Sequence, residues 1–539
     1  MAVDVSLGRV GTRLERSARA DRVSEGMWAP RLRLLFLTDG RITSGHGPME
    51  FGLGPPIDTL QDRLAVPWLD LSVDVVDRDP LHTSSVTVEG FRLTRDGFDL
   101  DAYDQVWMFA DQPSEQPAES QSTPDSVALE EQYAPMSDAE LVVLARWMDA
   151  GGGVFAAGDH SFLGASMCSR IPRVRTMRKW THAQGVPSLD TPERHETLQP
   201  DLPGFYDRWE GDQYPQPVIP VFQNLGGSFS VSRLVPHPLL CGPHGVIDRF
   251  PDHMHEGSVV EDADVQLDLP LDIAGYDRPE YPPNRPVATP AAVGGTLPGP
   301  VPLVRPVPHV VAHGITTNRD APPRVFAIVG AYDGEGAGVG RIVVDSTWHH
   351  WFSLNLGGFI AEAPLIYEQM QWYYRNIAIY LATRAQRAQM LFAAIWNAMI
   401  GSYPGAFSRG FSVWESGQRA VDVLGRDTPQ CLVSALVSSV MPPVYPVAAP
   451  AGGAPVPGAH PDLINAAVTG AIALEMVEQV NQLLLHRAKG RPVQIDQAEI
   501  IEQGWAGVAH GHHVLVQALH EQASAQEALL DALERMNPA

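Results

Sequence analysis

Residues 31–40, RLRLLFLTDG, form a nearly unbroken apolar run that stops at a polar turn, the pattern of a strand buried on both faces. The stretches LSVDVVD (71–77) and DQVWMFAD (104–111) repeat it, each closed by Asp. Ser137 with Glu140 three residues on is a capping box, and Leu141, Leu144, Ala145 and Met148 then recur at helical spacing. That helix stops at Gly151-Gly152-Gly153, where the chain enters a further strand, VFAA. Two more strands follow, RVFAIVGA (324–331) and GRIVVDS (340–346), joined by a Gly-rich turn of hairpin character. A long helix starts near Pro364, a favoured first-turn residue, with Leu365, Ile366, Met370, Tyr373, Tyr374 and Ile377 on its apolar face. Strands alternating with helices predict βαβ units and an α/β fold, a mostly parallel sheet flanked by helices.

From about Leu391 the pattern is helical throughout. Two helices are predicted at 461–489 and 497–536, the first ending in His486, Arg487 and Lys489 before Gly490. Ten Pro in residues 279–308 mark an insertion near 270–308, and seven in residues 442–461 mark a linker. The organisation predicted is an irregular arm (1–30), an α/β domain (31–385) and an α-helical C-terminal region (386–539). No internal repeat is present.

A length of 539 residues and an apolar fraction of 44% allow a sizeable core. A formal charge of -25 argues against nucleic acid and anionic membrane surfaces as partners. Three Cys (Cys168, Cys241, Cys431) are too few and too scattered for a disulfide framework, so a reducing cytoplasm is the default. Arg9, Arg13, Arg16 and Arg19 stand near the N-terminus without an apolar core of a secretory signal. Apolar runs such as 391–400 are about half the length of a membrane span. These features predict a cytoplasmic protein that does not enter the membrane.

The order of three short motifs resembles the class I glutamine-amidotransferase-like superfamily, in particular its ThuA-like branch. The pieces are Gly151-Gly152-Gly153 with Gly158-Asp159-His160, then His237-Pro238-Leu239-Leu240, then Gly340-Arg341-Ile342-Val343-Val344 with His349. The resemblance covers roughly residues 31–385 and implies a flavodoxin-like sheet with a nucleophile elbow after the GGG strand. At that elbow Asp159 stands where the family has Cys. A thiolate is the group that attacks the glutamine amide, so glutaminase chemistry is not expected. Cys168, nine residues later, reads as a buried structural Cys.

Ligands of open α/β sheets sit outside the carboxyl ends of the strands, which points to Asp159, His160, His349 and His350 as neighbours. Asp159 and His160 suit a general base or a metal-ligand pair; equally, Asp159 could cap the next helix. His349 and His350 would point to opposite sides of an extended strand end; the resemblance selects His349, leaving His350 structural. Trp348 would wall the pocket against a substrate. The H-x-H-E spacing of His253, His255 and Glu256 could bring His255 and Glu256 to a divalent metal, the only cofactor these residues point to. Arg170, Arg173, Arg175, Arg178 and Lys179 form the one dense basic cluster. Arg173 or Arg175 could hold an anionic group, or the cluster could pair with the chain's own carboxylates. Sequence alone thus describes a hydrolase-like enzyme for a small, anionic substrate, with Asp159 or His349 activating water. The alternative is an inactive binding or scaffold protein that forms homo-oligomers through its C-terminal helices.

Overall fold

A computed structural model describes residues 26–40, 42–48, 50–78, 90–111, 136–158, 163–181, 184–185, 215–225, 233–251, 259–285, 305–315, 325–347, 349–402, 407–426, 428–441, 449–450, 461–490 and 495–536. The predicted strands become β1 (Arg31–Thr38), β2 (Asp70–Asp77), β3 (Gln105–Ala110) and β4 (Gly153–Gly158). They join β5 (Pro215–Pro220), β6 (Arg249–Pro251), β7 (His309–Ile315), β8 (Val325–Tyr332) and β9 (Ile342–Asp345). These nine form one sheet in the order β6-β5-β7-β8-β9-β4-β3-β1-β2. Strands β2, β1, β3, β4 and β9 are parallel. From β9 outward, β8, β7, β5 and β6 pair antiparallel, so the sheet is mixed rather than mostly parallel throughout.

Alternation along the strands sends side chains to two cores. Leu32, Leu34, Phe36, Trp107, Phe109 and Phe155 face one side. Leu35, Leu37, Val106, Met108, Val154 and Ala156 face the other. The first face is covered by α1 (Gly54–Gln61) and by the helices after β9: α5 (Ser353–Glu362), α6 (Pro364–Leu381) and α7 (Arg384–Gly401). Met370, Tyr373, Tyr374 and Ile377 of α6 are buried there, worth about 1.5–3 kcal/mol each. Leu365, in the first turn, is instead 65% exposed. The second face carries α2 (Asp138–Asp149), whose capping box between Ser137 and Glu140 forms as its sequence indicates. Two one-turn helices, α3 (Ala165–Cys168) and α4 (Val174–Met177), join it.

The C-terminal region is helical: α8 (Val413–Leu424), α9 (Gln430–Val440), α10 (Pro461–Ala488) and α11 (Gln497–Met536). Its apolar residues merge with those of the sheet's first face in one continuous core, into which the end of the N-terminal arm also docks through Trp28. Among the described residues α10 is the one helix long and apolar enough to cross a membrane, yet 72% of its most apolar window is buried in the protein. Cys241 and Cys431, 190 positions apart, form a disulfide with their Cα atoms 5.9 Å apart, so scatter along the chain did not keep them apart in space.

β5 and β7 escape sequence reading for a physical reason. β5 is PQPVIP, and Pro cannot donate to a ladder. It is accommodated because residues 215–217 pair only with β6 and residues 218–220 only with β7, so each half is an edge on one side.

Candidate functional site

After β1 the chain crosses to β2 by way of α1 on one face, and after β3 it crosses to β4 by way of α2 on the other. The carboxyl ends of β1 and β3 therefore flank the point where the connections diverge, the place where such sheets open a crevice. Asp39 follows β1, Asp111 follows β3, and Asp77 ends β2. The Asp111 backbone amide donates to Asp39 Oδ1 at 2.6 Å. Asp39 is 3% exposed, and burial pushes its pKa well above the ordinary carboxylate value. The Asp111 amide opposes the shift, while the charges of Asp111 and Asp77 add to it. A carboxyl in this setting keeps its proton to higher pH and can donate it.

The surroundings hold this arrangement. Arg78, the residue after β2, forms a buried bidentate pair with Glu140 of α2 at 2.6 and 3.3 Å. Burial alone would raise the Glu140 pKa; the hydrogen bond and charge of Arg78 outweigh it and lower the value. Arg178 Nη2 donates to the Gly158 carbonyl at the end of β4 at 2.8 Å, with its guanidinium 4.1 Å over the Trp180 ring. Cys168 is fully buried beside them, and burial followed by the Asp39 charge pushes its thiol pKa up. That direction suits a structural Cys and opposes a nucleophile.

At the end of β9 a second polar group forms. Asp345 Oδ1 accepts from the Thr347 amide at 3.0 Å and faces its hydroxyl at 3.2 Å, and Oδ2 accepts from Tyr373 Oη at 2.9 Å. His350 Nε2 lies 3.2 Å from Asp345 Oδ2, and its Nδ1 lies 3.2 Å from the Thr347 hydroxyl. Its ring is fully buried, tilted against Phe250 at 4.8 Å and Trp351 at 5.2 Å between ring centroids. Both ring nitrogens thus face groups of the protein interior. His349 is buried beside it. The two are not on an extended strand end: residues His349–Trp351 form a 3-10 turn, so the expected opposition of their side chains does not apply. With β4 between them, the ends of β3 and β9 stand about 10 Å apart.

Arg173 and Arg175 are placed differently from an anion clamp. The Arg173 guanidinium is fully buried, 3.2 Å from Asp149, and its Nη1 donates to the Glu280 carbonyl at 3.1 Å. Arg175 pairs with Glu280 at 2.8 Å. The anions they meet belong to the protein, supplied by the end of α2 and by the insertion. Asp159, His160, Trp348, His253, His255 and Glu256 lie outside the described residues. Among the described residues no three His, Cys, Asp or Glu side chains converge as a metal would require.

Sequence reasoning passed over Asp39, Asp77 and Asp111. The signal was present, since each predicted strand was closed by Asp, but each Asp alone looks like a turn residue. The GGG, HPLL and GRIVV motifs do meet in space, through Gly151, His237, Gly340 and Arg341, but at the opposite edge of the sheet, around a cavity. Gly151 adopts a φ of 112°, and a Cβ on Gly340 would stand 1.9 Å from the Gly152 carbonyl oxygen. The positive φ accounts for Gly151 and close backbone packing for Gly340. Compared with known proteins, the chain matches no family model, and no curated protein and no solved structure matches it.

Proposed function

We propose that the protein is a hydrolase-like enzyme for a small molecule, working outside the carboxyl ends of β1, β3, β4 and β9 with Asp39 as its proton donor. The observation that carries this reading is the buried Asp39 carboxyl, held by the Asp111 amide and raised in pKa at the divergence point of the sheet. The strand order β2-β1-β3-β4-β9 supports an amidotransferase-like, flavodoxin-like topology for the parallel half. Asp159 and His349 are the groups to activate water, and an elbow with Asp159 in place of Cys argues against glutaminase activity. Arg173 and Arg175 are engaged by Asp149 and Glu280, which leaves neither as the holder of an anionic substrate group. Hydrolysis of ester, amide, glycoside and phosphoester model substrates tests the reading. Turnover of one class, lost in folded Asp39→Asn, supports it; a full set without turnover, or an unaffected variant, opposes it. A cytoplasmic location, expected from the sequence, stands against the Cys241–Cys431 disulfide; thiol labelling of the two Cys in cell extracts tests it, free thiols supporting the location and a bond opposing it.

A second reading, a scaffold that assembles through its helices, draws on α11. Its end is largely exposed, with Leu529 and Leu530 each 60% exposed. Helix α10 and the start of α11 are core, so removal of residues 442–539 would unfold the protein; ending the chain after Gln517 is the cleaner test. An oligomer that becomes a monomer on truncation, measured by light scattering, supports assembly, and a monomer in both forms removes it.

A further inference from the structure

The opposite edge of the sheet holds a cavity of about 850 Å3, within the range of small-molecule sites. It lies at the amino ends of β4 and β9, under the turn from β8 to β9, and against the junction of α6 with α7 and one side of α9. Four arginines and two acidic residues line it among the described residues. Arg341 pairs with Asp333 at 2.6 Å and with Glu335 at 3.3 Å, and Arg387 pairs with Glu335 at 2.7 Å. Those four charges offset one another.

Arg285 and Arg384 remain. Arg384 Nε donates to the Ser439 carbonyl at 2.6 Å and its Nη2 to the Met441 carbonyl. Arg285 Nη2 reaches only the Gly338 carbonyl, at 3.4 Å. Among the described residues no carboxylate pairs with either, an excess of positive charge in a chain of net charge -25. Arg384 also opens α7, an 18-residue helix whose Thr383–Gln386 capping box takes the Thr383 and Gln386 amides, leaving those of Arg384 and Ala385 without a partner within the helix where the dipole favours an anion.

Neutral donors complete the lining. Tyr380 is 6% exposed, and its buried hydroxyl has no hydrogen-bond partner among the described residues. His309 Nε2 is likewise buried without one. His237 Nδ1 accepts from the Leu239 amide at 3.3 Å, and its ring lies 5.1 Å from that of Tyr380. Burial pushes the His237 pKa well below the usual value, so the ring is neutral and carries its proton on Nε2. Leu432, Leu436 and Ile379 add an apolar wall.

We infer that this cavity is a binding site for a small organic oxyanion, its charged end held by Arg285, Arg384 and the first turn of α7 and hydrogen-bonded by Tyr380. Oxyanions from a carboxylate or a phosphate ester meet the same donors. The site stands apart from Asp39, at the other end of the strands, and does not depend on the catalytic proposal. Isothermal titration calorimetry of the full chain with inorganic phosphate and with succinate tests it, against chloride at matched ionic strength. Saturable one-to-one binding of either anion is expected, and which of the two binds names its source. Arg285→Gln and Arg384→Gln should each weaken it about tenfold or more, the loss of one charge-assisted contact, and Tyr380→Phe should weaken it less. Arg384 also holds the end of α9, so Arg285→Gln, with its single long contact, decides the matter if the other variant misfolds. No saturable heat with either anion, or wild-type affinity in folded Arg285→Gln, overturns the inference.

Discussion

Replacing Asp149 by Asn removes one charge and little volume from beneath the insertion. Arg173, fully buried, loses the carboxylate that faces both its Nη1 and its Nη2 at 3.2 Å. Glu280 lies nearby, but its carboxylate is engaged by Arg175 at 2.8 Å. The Arg278 contact to Asp149 adds little, since Arg278 is 65% exposed. Breaking a buried pair from one side costs about 3–5 kcal/mol, and the Glu280 carbonyl that Arg173 keeps places Asp149→Asn near the lower end. Arg173→Met in the same background should recover most of that loss, because no buried charge is then left alone. Equilibrium urea unfolding followed by circular dichroism compares wild type with the two variants, with midpoints compared at equal slope. A cost below about 1 kcal/mol for Asp149→Asn would refute the buried-pair reasoning. It would return Arg173 to the role of an anion-binding group.

The raised Asp39 pKa has a sign that can be worked out. Above the unfolded value the folded state binds the extra proton, so the contribution of Asp39 to stability is fully present below that value and is lost as pH rises through the folded one. Asp39→Asn should therefore unfold at higher urea than wild type at pH 8, with the gap closing toward pH 4; a gap independent of pH would contradict the shift. The Cys241–Cys431 bond closes a loop of 190 residues, worth about 5 kcal/mol by loop-closure entropy. Cys431→Ser should lower the urea midpoint accordingly, and an unchanged midpoint would show that the bond adds nothing. Gly340→Ala drives a Cβ against the Gly152 carbonyl and should cost at least about 2 kcal/mol in the same assay; a neutral result would mean that the strand entrance is loose.

The elements read most directly from sequence are those whose signals are local. The Ser137–Glu140 box, the apolar run of β1 and the limits of α10 and α11 all depend on neighbours within a few residues. What stayed hidden depends on distance along the chain. Arg173 looks like a ligand clamp until Asp149, 24 positions away, and Glu280, 107 away, are placed beside it. Asp39 and Asp111, 72 apart, look like turn residues until parallel pairing sets them side by side. β5 is hidden for another reason, because its prolines are tolerated only through split pairing. The strand-end rule pointed to the edge where Asp39 and Asp111 meet, while the short motifs lie at the opposite edge around its cavity.

The central claim is that Asp39 carries a proton that chemistry at the carboxyl edge can use. Infrared difference spectroscopy of wild type against Asp39→Asn, taken across a pH series, observes that proton directly. A protonated carboxyl band that is missing in the variant and persists to clearly higher pH than an ordinary carboxylic acid is the predicted result. A band that converts to carboxylate where ordinary carboxylic acids do would contradict the account, because burial would then hold no extra proton on Asp39.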